Sequence, residues 1–150
     1  RMKLGLLLHD PEEEHDCFSD NTHNSHYFDG LGIRNVYTGR YLRIDGSVVS
    51  GPSLHELVAE RDPDLAAALM DDLNHTMAAL ADIRNVAEAG MSYDEMLGAE
   101  NAAGNALIQA AIDGLVAQTR NIERAVALVG LDGVAVEGSD SLDNPGAVFE

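Results

Sequence analysis

Two stretches of this chain repeat their apolar residues at alternating steps of three and four. One runs Ala66, Leu69, Leu73, Thr76, Leu80, Ile83 and Ala87; the other runs Ile108, Ile112, Leu115, Thr119, Ile122, Val126 and Val129. That spacing puts one apolar stripe on one face of an α-helix, and a stripe of such length must be buried against a partner. Asp62-Pro63 gives a cap and a first-turn proline at the start of the first stretch, and Gly90 ends it. Ser92 and Glu95 form a capping box for the second, which stops at Gly130. The pattern predicts two long helices, near Asp62–Ala89 and Tyr93–Val129. The link through Gly90-Met91-Ser92 is short, so the two should be antiparallel neighbours.

The remaining segments add shorter elements. Met2 to Leu8 reads as helix, interrupted at His9-Asp10-Pro11. Asp10, Pro11 and Glu13 then predict a second short helix reaching Cys17 or Phe18. The cap-rich run Ser19-Asp20-Asn21-Thr22 opens a helix to about Thr38. Residues 40–51 read as extended, with a turn at Asp45-Gly46, and Ser53 with Glu56 caps a short helix ending near Arg61. Ala and Leu dominate the apolar fraction, which favours helix over strand. The expected fold is all-α: an antiparallel helical bundle of about four main helices over residues 1–130. Residues 131–150, rich in Gly, Asp and Ser, are expected to pack on it as an irregular tail. Arg1 leads straight into an apolar run, as expected of a trimmed or processed chain or of one domain of a longer protein, and that run is expected to leave an apolar face for a second copy to cover.

Charge narrows the partners. The chain has 26 acidic and 9 basic residues, a formal net charge of −17. Such a surface repels nucleic acid, whose binding requires cationic side chains to displace counterions, and it repels anionic lipid. No apolar run reaches the ~20 residues of a membrane-spanning helix. Cys17 is the only cysteine, so no disulfide forms within the chain.

Residue types capable of acid–base chemistry or metal ligation concentrate between His9 and Asp29, where four of the six histidines lie among Glu12, Glu13, Glu14, Asp16, Cys17 and Asp20. Oxygen ligands mixed with imidazole suit iron, zinc or manganese. Spacing alone defines no metalloprotease H-E-x-x-H and no C-x-x-C. The plain alternative is a solvated acidic helix end whose Asp20 and Asn21 act as caps. Elsewhere His55 is expected to be exposed, His75 partly buried, and Met70 and Met77 core. Thr76 and Thr119 are expected to bond their own preceding carbonyls. Asn101, Asn105 and Gln109 form an amide stripe that needs partners if buried.

The run from Glu12 to His23, read EEEHDCFSDNTH, resembles the imelysin family. So do Gly32 to Tyr37, Val49 to Leu54, Gly104 to Thr119 and Gly138 to Asp143. The resemblance implies the C-terminal bundle of an exported bacterial protein with two helical-bundle domains. It implies a place in the periplasm or at the outer membrane, a role in iron uptake, and metallopeptidase activity in some members. The family hallmark G-x-H-x-x-E belongs to the other bundle. His9-Asp10-Pro11-Glu12 has the letters H-x-x-E, but Leu8 alters the upstream context and Pro11 breaks the helix. The family's second motif falls on Glu14, His15, Ser19, Asp20, Asn21 and Thr22, expected to line a ligand cleft facing the missing domain. Glu14, His15, Asp20 and His23 are the implied metal ligands, with iron or zinc held in the full-length protein. Three functions follow as expectations: a metal- or ligand-binding module, half of a metallopeptidase inactive alone, or a structural assembly domain.

Overall fold

The computed structural model describes residues 2–131. The tail expected over 131–150, and the family-like stretch Gly138 to Asp143, lie outside the described residues apart from Leu131. Helix α1 is Met2–Leu8, followed by one 3-10 turn at Pro11–Glu13. Helix α2 is Thr22–Thr38, strands β1 and β2 are Arg40–Leu42 and Val48–Ser50, and α3 is Leu54–Ala59. Helix α4 is Pro63–Glu88, α5 is Tyr93–Leu97 and α6 is Ala102–Leu128.

The antiparallel pair predicted from the two stripes forms the largest interface, α4 against α6. Its direction is fixed by pairs that ascend one helix while descending the other. Arg61 donates to the Leu128 carbonyl at 2.7 Å, and Asn121 donates to Asp72 at 2.6 Å. A Cβ on Gly114 would meet Thr76 Oγ1 at 3.0 Å, so the helices approach closely there. Leu69, Leu73 and Leu80 are each 2% exposed, Ile112 is 5%, and Leu115 and Ile122 are half-buried. Thr76 and Thr119 donate to the carbonyls of Asp72 and Leu115, as expected of mid-helix threonines.

Two core clusters line the bundle. One joins Leu80 and Ile83 of α4, Tyr93, Met96 and Leu97 of α5, and Ile108 and Ile112 of α6, with Met2 of α1. The other joins Tyr37, Val58, Leu65, Leu69 and Leu73 with Ala125. Met2 therefore lies in the chain's own core, and Leu4 and Leu6 are half-buried. Helix α1 packs on α6 through its inner side, so the apolar face expected of this segment is covered at Met2, Leu4 and Leu6 and stays open at Leu7 and Leu8.

Three boundaries differ from expectation. The helix predicted from Tyr93 to Val129 is broken between Leu97 and Ala102. Asn101 caps α6 through Gly104 N and donates to Glu95 O at 2.8 Å, while Asn105 donates to Met96 O and Gly98 O. Two members of the amide stripe thus serve the carbonyls of the corner, which a continuous helix would have consumed. Gln109 donates to Asp113 on its own helix. The helix predicted after Asp10 is one 3-10 turn, with Asp10 accepting from Glu12 N. The extended connection is a hairpin, β1 pairing with β2 antiparallel, and Asp45 accepts from Ser47 N across the turn. His55 is half-buried against Tyr37, with Nδ1 3.3 Å from its hydroxyl, and His75 is exposed, the reverse of both expectations.

Candidate functional site

The site is built on the irregular segment between the 3-10 turn and α2. Glu14 closes the turn in an extended conformation, its N–H donating to Pro11 O. That geometry sends its carboxyl inward, and Glu14 is only 5% exposed. Beneath it lies Thr22, fully buried in the first turn of α2. Thr22 Oγ1 accepts from Asp16 N at 2.9 Å, and its hydroxyl bonds the Glu14 carboxylate. Asp16 in turn accepts from the Ser25 hydroxyl. One buried threonine therefore holds both the loop backbone and the buried acid.

Burial pushes the Glu14 carboxyl above its ordinary range; the Thr22 hydrogen bond opposes this, and the charges of Asp94, Asp20 and Asp16 add to it. One carboxylate oxygen, Oε2, is buried without a hydrogen-bond partner. Two more groups in this layer share that condition. Tyr93 is 1% exposed and its hydroxyl is unpartnered; its proton is held far more tightly than in a free phenol, by burial first and then by the Glu14 charge. The His26 ring lies 5.5 Å from the Tyr93 ring and 5.7 Å from His15, with Nε2 unpartnered. Burial, then the nearby His15, lowers the His26 pKa to about 4. Unpaired buried polar atoms are rare in folded proteins, and three in one layer mark a place where a ligand or water completes the bonding.

Two open grooves meet above this layer. One, of about 490 Å³, is lined by Glu12, Glu14, His15, Asp16, Cys17 and Ser19. The other, of about 570 Å³, runs past His15, Asp16, Asn21, Asn24 and Asp29 to Arg84 of α4. Arg84 stacks on Tyr27 and Phe28 at 5.0 and 5.6 Å and pairs with Glu88.

The residues expected in this site are only partly gathered. Glu14 and Thr22 are in contact, His15 meets His26, and the Asp20 charge reaches Glu14. Ser19, Asp20 and Asn21 are exposed, and Asp20 takes a left-handed backbone with φ of 48°. Asn21 accepts from the Asn24 amide and makes no side-chain cap bond to α2. His23 Nε2 pairs with Asn24 and its Nδ1 is unpartnered. The implied ligands Glu14, His15, Asp20 and His23 do not form a coordinating set: among the described residues, no three His, Cys, Asp or Glu are grouped to hold a metal ion. The donor set of this bundle alone therefore does not fit a complete metal centre.

The family model for imelysin matches residues 1–122, most of the chain and all of this site. The chain belongs to the imelysin family. No curated relative matches it at a significant level. Sequence patterns pointed to the second motif of imelysin but not to Tyr93 or Arg84, which lie far along the chain. The signal for Tyr93 was faint but present: it follows a capping box, where an aromatic at the first helical position has no reason to be solvated. Among the described residues, no helix of this imelysin bundle is long and apolar enough to cross a membrane.

Proposed function

We propose that this bundle is one wall of a binding site for a cationic ligand in an imelysin-like protein of the periplasm or outer membrane, serving iron uptake. The observation that supports it is Glu14. A carboxyl 5% exposed, at the floor of an acidic groove, with one oxygen unpartnered, is costly to ionise without a cation. A metal or an ammonium-bearing ligand would offset that cost. Glu14 can supply one ligand or one hydrogen-bond acceptor; Thr22 orients it, and Tyr93 offers a donor below it. The other ligands would come from the second bundle of the parent protein, since this one groups too few. The peptidase reading requires a metal-activated water beside a general base, and no described group favours it over simple binding.

Isothermal titration of the chain with zinc and with ferric citrate tests this. The expected result is weak binding, removed by Glu14→Gln and unchanged by His75→Ala. Tight stoichiometric binding, or weak binding that survives Glu14→Gln, would overturn the half-site.

A further inference from the structure

The groove that runs from His15 to Arg84 carries both signs of charge. Asp16 and Asp29 line it, and Arg84 of α4 is its one lysine or arginine. In a chain of net charge −17, a cation among acids on a groove wall needs a physical account. Pairing with Glu88 is part of one: Arg84 Nε donates to Glu88 Oε1 at 2.9 Å, one turn along the same helix. On a half-exposed surface such a pair contributes little by itself.

The guanidinium is also seated on rings. Its carbon lies 5.0 Å from the centre of the Tyr27 ring and 5.6 Å from that of Phe28, and these two rings meet edge to face at 5.3 Å. Phe28 is 55% exposed and lines the same groove, so an apolar side chain stands in water there and carries a cation. The rings hold the guanidinium and Glu88 takes its Nε edge. Its two Nη groups, a fork that matches a carboxylate, make no hydrogen bond among the described residues.

The charges narrow what such a groove can take. A free anion at Arg84 would share the groove with Asp16 and Asp29 and be repelled by both. A bare metal ion at Glu14 would find too few ligands, since no three His, Cys, Asp or Glu among the described residues group to hold one. A chelate meets both conditions. A metal ion that keeps the oxygens of a small polycarboxylate needs fewer ligands from the protein, and its carrier has a carboxylate to offer Arg84. We infer that the cationic ligand of the Glu14 site arrives as such a chelate, with Arg84 as the anchor for a free carboxylate of the carrier. This rests on the reading of Glu14 as a group that faces a cation, and it adds that the ligand has a negative end and names the residue that takes it. The Glu14 groove and the Arg84 groove share His15 and Asp16, so a ligand with two ends can span them.

Isothermal titration with zinc alone, citrate alone and ferric citrate tests it. Citrate alone should not bind measurably. Arg84→Gln should weaken ferric citrate by roughly tenfold or more, the worth of a hydrogen bond to a charged group, and leave zinc as it was. Arg84→Lys keeps the charge but loses the fork, and should recover only part of that loss. Glu88→Gln removes the competing carboxylate and should tighten ferric citrate, whereas an arginine that only braces α4 through Glu88 would give no gain. Circular dichroism checks that each variant keeps the fold. The inference is overturned if Arg84→Gln leaves ferric citrate unchanged, if it weakens zinc equally, or if citrate alone binds as well as its iron complex. Glu14→Gln tells the two readings apart. If that variant still binds zinc and ferric citrate, both readings fall; if it loses both ligands while Arg84→Gln loses neither, the chelate reading falls alone.

Discussion

The seam between α4 and α6 and the layer around Glu14 are both buried, and they are buried for opposite reasons. In the seam, leucines and isoleucines leave water, the helices satisfy their own backbone, the threonines bond the turn behind, and the one unpartnered polar atom among the described residues is Oε1 of Gln118 on α6. In the site layer a carboxyl, a phenol and an imidazole leave water with atoms unpaired. Apolar burial near ~25 cal/mol per Å² makes the first a source of stability. Desolvation without full pairing makes the second a drain on it. Their proximity teaches how such a layer survives: Tyr93 belongs to the same core cluster as Ile83 and Ile108, so the seam holds in place what would otherwise open to solvent.

If the seam is the source, cutting it should cost most. Ile83 is 0% exposed, and Ile83→Ala should lower unfolding free energy by about 2–5 kcal/mol. Urea denaturation measures this; a loss under 1 kcal/mol would show that the site layer is not held from below.

The next effect comes from His26. Its folded pKa is about 4 against 6.5 unfolded, so the unfolded chain binds the extra proton between those values. Stability from this group is complete above pH 6.5 and is lost as pH falls towards 4, by roughly 3 kcal/mol at most. His26→Gln should flatten the fall of Tm over that window. A wild-type Tm that does not drop between pH 6.5 and 4 relative to the variant would mean the ring is already solvated.

Glu14 acts with the other sign. Its folded pKa is raised, so its share of stability is present at low pH and lost as pH rises through the folded value. Glu14→Gln should therefore raise Tm at pH 7 while weakening ligand binding, with the gain gone near pH 4. A variant less stable at pH 7 would make Glu14 a structural residue. The smallest effect belongs to Asp20, held at φ of 48°. Asp20→Gly should stabilise by about 0.5–1 kcal/mol by removing a left-handed strain, measurable by differential scanning calorimetry; destabilisation would give the carboxylate a bonding role.

The same contrast governs what could be read before the fold was known. The seam was legible because its information is periodic: Leu69, Leu73, Leu80 and Ile112 announce a face by spacing alone. The site was legible only as a segment. Glu14 and Thr22 are eight residues apart and meet because an irregular loop reverses between them. Tyr93 reaches them because the chain turns a corner at Gly98 that the stripe of apolar residues does not register. The break itself was written in Asn101 and Asn105, whose amides made sense only once the freed carbonyls of Glu95, Met96 and Gly98 were seen. For a related reason the run did not reveal which residues converge: residue types clustered in sequence, whereas coordination requires side chains that meet, and among the described residues no three His, Cys, Asp or Glu group to hold a metal ion.

Cys17 has a use that follows from its place alone. It is the only thiol in the chain, it is exposed, and it lines the groove next to Glu14. Desolvation and the charges of Glu14 and Glu12 raise its pKa, so the reactive thiolate is scarce at neutral pH and grows in alkaline buffer. A maleimide dye or spin label would therefore attach at a single known address without any engineered cysteine, at a rate that pH sets. The label would sit at the rim of the groove, and its emission or line shape would report occupancy directly.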